Sequence, residues 1–104
     1  MNEMIEIQWT TGSIDEARKV CRFLVQERLV ASAQIVPWVE SISLLNNQIE
    51  TIQETKVIFK TKKALFEKIQ AVILKNCKYE IPEITSTDIV QVNPSYLAWM
   101  EENV

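Results

Sequence analysis

Residues 30–61, VASAQIVPWVESISLLNNQIETIQETKVIFKT, decide the fold. Both halves are rich in Val, Ile, Thr and Phe, with Asn46-Asn47-Gln48 between them. Asn accepts a positive φ more readily than most residues. The tripeptide is therefore read as a hairpin turn joining strands Val30–Leu45 and Ile49–Thr61. Each strand is more than twice the usual length of about 5–6 residues. At ~3.3 Å per residue, roughly 13 residues reach about 43 Å, which is wider than a domain of this size. The hairpin must project, bend or pair with another chain. Pro37, lacking an N–H, marks a bulge or an edge in the first strand.

Upstream, Met4–Thr10 alternates, with Ile5, Ile7 and Trp9 on one side and Glu6 and Gln8 on the other, the period of a half-buried strand. Gly12-Ser13 breaks it. Ser13 and Glu16 have capping-box spacing, in which each side chain satisfies a backbone N–H of the other. Ala17, Val20, Cys21, Leu24 and Val25 then recur at helical spacing, predicting a helix from Ile14 to Arg28. Downstream, Leu65, Phe66, Ile69, Val72 and Ile73 predict a second helix, ending near Asn76. Pro82 closes the following loop, and Ile84–Val92 reads as a fourth strand. Asn93-Pro94 opens a last short helix whose apolar face is Tyr96, Leu97 and Met100; Asn caps, and Pro fits the first turn. The order β-α-β-β-α-β-α is that of an α+β, ferredoxin-like split βαβ domain with an added C-terminal helix. Residues 1–104 are read as one such domain. Both long helices should lie on one face of an antiparallel sheet, and the other face needs cover too.

Composition excludes many functions. The chain has 104 residues, 47% hydrophobic and 24% charged, an ordinary globular balance. Eleven basic against 14 acidic residues give a net charge of −3, which argues against non-specific binding to nucleic acid or anionic membranes. There is no His, so Ser-His-Asp and Cys-His catalysis, HExxH zinc hydrolysis and His-ligated metals are ruled out. One Gly cannot build a P-loop or a G-x-G-x-x-G turn. Cys21 and Cys77 are far apart and form no C-x-x-C motif. The opening MNEMIEIQW carries acidic residues and no apolar core, so no signal peptide is expected. No apolar run approaches the ~18 residues of a membrane span. A cytoplasmic protein with reduced thiols is expected.

Few residues suggest chemistry. Glu80 and Glu83 flank Pro82, and with Cys77 they are weak candidates for a mixed sulfur–oxygen metal site, provided that they converge. As bland alternatives, the two acids are solvated or packed loop carboxylates and Cys77 is a small apolar plug at a helix end. Cys21 sits on a core stripe. Met1, Met4 and Met100 offer thioethers suited to Cu(I), although Met is a common core filler. Trp9, Trp38 and Trp99 show no nucleic-acid-binding pattern and fit a core or subunit contact better. Lys56, Lys60, Lys62 and Lys63 could attract an anion, but read first as a solvated strand end.

Four ordered blocks carry a resemblance: TTGSIDEARKVCRFLVQERLVASAQIVPWVESI, KVIFKTKKALFEKI, YEIPEI and NPSYLAWM. They closely resemble the CutA divalent-cation tolerance family, over nearly the whole chain from Glu6 to Glu102. The resemblance implies a homotrimer of ferredoxin-like subunits whose long strands pair between subunits, which agrees with the overlong hairpin. It also implies a role in the response to divalent metal ions and no enzymatic activity. Ser32 stands where the family usually has Cys. Cys77 and Lys78 replace the usual His and Pro, and Ser43, Leu45 and Asn47 replace a Tyr-x-Trp-x-Gly pattern. The usual soft-metal donors are thus substituted, and no cofactor is expected beyond a weakly held divalent cation. Lys60, Tyr79 and Trp99, in retained blocks, are candidates for lining a ligand cleft. The partner expected is the chain itself, with no nucleic acid and no membrane insertion. A trimeric small-ligand sensor resembling the PII proteins is the alternative. An acylphosphatase-like enzyme is a third reading, but it would need a Gly-rich anion loop.

Overall fold

The computed structural model describes residues 3–104. Strands β1 (Met4–Thr11), β2 (Ser32–Leu45), β3 (Gln48–Lys62) and β4 (Ile84–Asp88) form one sheet in the order β2-β3-β1-β4, every pairing antiparallel. Helices α1 (Ile14–Gln26) and α2 (Phe66–Asn76) share one face, and α3 (Pro94–Asn103) lies on the other. This is the ferredoxin-like α+β arrangement expected from the pattern.

The period-two reading of β1 is correct at the level of side chains. Ile5, Ile7 and Trp9 are buried under the helices with Ala17, Val20, Leu24, Phe59, Ile69 and Ile73. The Trp9 and Phe59 rings stack with centroids 6.4 Å apart. Met4, on the opposite face, packs with Ala31 and Met100 in a second small core under α3. Met4 and Met100 are therefore fillers, while Met1 lies outside the described residues.

Element ends differ from the expectations for local reasons. Helix α1 stops at Gln26, not Arg28, in a Schellman ending: Arg28 N–H donates to Val25 O at 3.1 Å and Leu29 N–H to Leu24 O at 2.9 Å. Arg28 takes φ 57° there, a position that usually selects glycine, and its guanidinium donates to the Glu102 carbonyl at 3.1 Å. Val30 and Ala31 precede β2 as buried linker residues, tied to β3 by Ala31 N–H on Lys60 O. Leu65 falls in a short 3-10 turn before α2. Strand β4 ends at Asp88, not Val92. Ile89 N–H still reaches Met4 O at 3.0 Å, but Met4 is where β1 begins, so residues beyond have no strand to pair with. Asn93 sits at the N-cap of α3 without its side chain capping; its amide donates to Ser95 Oγ instead.

The hairpin turns on Asn46 (φ 53°) and Asn47 (φ 65°) alone, the two left-handed positions of a type I′ turn. Gln48 already pairs with Leu45 as the first residue of β3. The register slips between Val36 and Val39, so that Pro37 and Trp38 together oppose Thr55, whose hydroxyl donates to Pro37 O at 3.0 Å. Pro37 thus marks a bulge, on a strand that is also the edge of the sheet. Beyond it the hairpin leaves the helices behind and stretches the molecule to 46 × 25 × 22 Å.

Candidate functional site

The loop 77–83 crosses the end of the sheet where β1 gives way to α1. Its Tyr79 ring lies over Gly12, the only glycine of the chain. A Cβ at position 12 would stand 2.9 Å from the phenol oxygen and 3.2 Å from a ring carbon. The phenol donates to the carboxylate of Glu54, which β3 presents opposite Val39 just past the bulge. Desolvation comes first and Glu54 second, with smaller contributions from Cys77 and Glu16; together they push the phenol up to about 12. Tyr79 is accordingly a neutral hydrogen-bond donor at physiological pH.

Glu16 fixes the same loop from beneath. Ser13 Oγ accepts from Glu16 N–H at 3.2 Å, half of the expected capping box. The reciprocal bond is absent. The Glu16 carboxylate instead accepts the Thr11 hydroxyl at 2.6 Å and the Lys78 N–H at 3.3 Å, while Ser13 N–H donates to Thr11 Oγ1. The helix start is thereby stitched to the loop rather than to itself.

The pair flanking Pro82 does not converge. Glu83 accepts hydroxyls on both oxygens, from Thr10 at 3.3 Å and from Thr85 at 3.4 Å. Glu80 is exposed. Cys77 caps the end of α2 in an extended conformation, partly buried against the main core. Among the described residues no three Cys, Asp or Glu side chains gather to hold a metal ion. The donor set therefore does not fit a tight preformed metal site within one subunit. Ser32, at the family's usual Cys position, pairs with Lys60 several residues further along β3, away from Cys77.

The three cleft candidates are dispersed. Tyr79 stands at one end of β1. Trp99 is on α3, packed face to face with Tyr96 at 5.4 Å and near the other end of β1. Lys60 is on the sheet face away from α1 and α2, paired with Glu6 at 3.8 Å, and roughly 20 Å along β3 from Glu54. Lys63 pairs with Glu3 and Asp88. Cys21 is buried, and burial pushes its thiol up to about 12.

Sequence reasoning missed Gly12, Glu16 and Glu54 as site residues. The lone glycine was the available signal, because a chain that otherwise avoids Gly keeps it where backbone must admit a ring. Glu54 had no such signal, since a two-residue bulge sets its direction.

Comparison with known proteins fits this architecture. A relative from Thermus thermophilus, "Divalent-cation tolerance protein CutA", is 34% identical over 103 residues, covering 99% of this chain and 98% of its own. The crystal structure of the Thermus thermophilus protein superposes with a TM-score of 0.90 at 32% identity, covering 96% of this chain and 97% of that one. CutA1 from the psychrotrophic bacterium Shewanella sp. SIB1 gives a TM-score of 0.92 at 29% identity, over 98% of this chain and 95% of its own. Residues 5–103 match the family described as CutA1 divalent ion tolerance protein, and to that family this chain belongs.

Proposed function

We propose that the chain acts as a non-enzymatic homotrimer that takes part in tolerance of divalent metal ions, in the cytoplasm, with both thiols reduced. The names of its relatives support the tolerance role. The projecting hairpin carries the argument for assembly. Ile42, Leu44 and Ile49 share one side of it, at 66, 70 and 73% exposure, where neither long helix reaches. Leu45 and Ile52 are exposed on the other side. Apolar surface of this kind is a hazard unless another chain covers it. Strands β2 and β4 are also the two open edges of the sheet. Unlike edges that meet head to tail close into a ring if the rotation is right, leaving no growing end. Family resemblance selects three subunits.

The carboxylates beside Tyr79 are occupied in holding the loop, which supports a structural rather than a catalytic role for them. Divalent ions then bind weakly, as hard ions do on exposed carboxylates that keep their water. Deleting the gene should lower the copper or zinc concentration at which growth stops. The intact chain should restore growth and the Ile42→Asp/Ile49→Asp variant should not. Unchanged metal sensitivity on deletion would refute the proposal.

A further inference from the structure

Between α1 and α2, on the side away from the sheet, lies a cavity of about 370 Å³ lined by Lys19, Val20, Phe23, Val72, Lys75 and Asn76. Its floor is apolar. Val20 is fully buried, Val72 is half-buried, and Phe23 leaves 48% of its surface in solvent, a large exposure for an aromatic ring on a helix already packed on one side. Phe23 and Val72 continue into a shallower depression that ends at Lys68 and Leu29. From Lys68 to Asn76 the groove follows about 12 Å of helix.

Charge gives the groove a direction. Lys19 and Lys75 stand together at one end, one from each helix, and neither belongs to an ion pair among the described residues. At the other end Lys68 is accompanied by Glu27, so its charge is offset. The C-terminus of α2 would by itself repel an anion. Asn76 covers one of its free carbonyls by donating to Val72 O at 2.8 Å, and the two lysines supply the opposite sign. In a chain of net charge −3 this is a local reversal. The volume lies within the range of about 300–1,000 Å³ typical of small-ligand sites, and the lining has their composition of apolar walls with a few polar groups.

We infer that this groove binds a small amphiphilic anion. The carboxylate or sulfate sits between Lys19 and Lys75, and the apolar tail lies over Phe23 and Val72 toward Leu29. A charge-assisted contact to an ammonium supplies orientation, and burial of the tail supplies affinity.

Sodium decanoate, decanol and decyltrimethylammonium, each below its self-aggregation concentration, are the probes, and NMR shifts of the intact protein are the readout. Decanoate should shift the signals of Val20, Phe23 and Val72 and bind more tightly than decanol, with decyltrimethylammonium weakest. Lys19→Glu/Lys75→Glu changes two exposed residues and should preserve the fold while weakening decanoate about tenfold. Phe23→Ser should weaken decanoate and decanol alike. The inference is overturned if the cation binds as well as the anion, or if shifts gather at Ile42, Leu44 and Ile49. It is equally overturned if only an acidic amphipathic peptide binds, or if the groove signals move with protein concentration alone, which would mark a second copy as the occupant.

Discussion

The phenol of Tyr79 lies against the α-carbon of Gly12, where a side chain would meet it at 2.9 Å. This contact lets a loop after α2 lock onto the junction between β1 and α1. Gly12→Ala should destabilise the protein by about 1 kcal/mol, as added atoms in a packed place do. No backbone strain contributes, because Gly12 is not at positive φ. In a Tyr79→Ala background the same substitution should cost almost nothing. Denaturant unfolding of the four variants measures the coupling, and additive effects would show that the two residues are independent.

Tyr79 and Cys21 make stability fall at alkaline pH. Both are raised to about 12, from ordinary values of 10 and 9. The unfolded chain therefore loses these protons first. Their contribution is complete below pH 9 and is lost as pH climbs to 12. The stability difference between the protein and Tyr79→Phe should hold constant to pH 10 and shift against the unmodified protein above it. A difference that stays flat to pH 12 would contradict the placement of the phenol beside Glu54.

Asn47→Gly should stabilise the hairpin by roughly 0.5 kcal/mol, because glycine removes the steric cost that Asn still meets at φ 65°. Asn47→Val should destabilise by about 1–2 kcal/mol, since a Cβ-branched residue is poorly accommodated there. Thermal unfolding distinguishes these, and equal effects of the same sign would mean that the turn is not type I′.

Metal affinity should be low. Calorimetry on tag-free protein is expected to find Cu(II) and Zn(II) bound at micromolar levels or weaker, because the nearby carboxylates are already hydrogen-bonded and no imidazole is present. Nanomolar binding would refute this. If such binding disappeared in Cys77→Ser, the thiol would be identified as the ligand.

The sheet and both long helices were legible because burial imposes strict periods, and Ile5, Ile7 and Trp9 could hardly be read otherwise. The pairing of turn and bulge was also readable from Asn46-Asn47 and Pro37, whose backbone preferences are local. Where β4 ends was not, since it depends on β1 running out at Met4 on the far side of the chain. Nor was the end of α1, because Arg28 takes a conformation that its residue type disfavours and gains a bond to Glu102 in exchange. The candidate site was read least well. Glu80 and Glu83 are neighbours in sequence yet do not converge, while Glu16 and Glu54 reach the Tyr79 loop through tertiary contacts that no spacing announces.

Sedimentation equilibrium tests the central claim most directly, because the exposed hairpin has a purpose only if other subunits cover it. The account predicts one species at three times the chain mass of 12.1 kDa, persisting at low concentration, and its loss in Ile42→Asp/Ile49→Asp. A stable monomer of 12.1 kDa would contradict it.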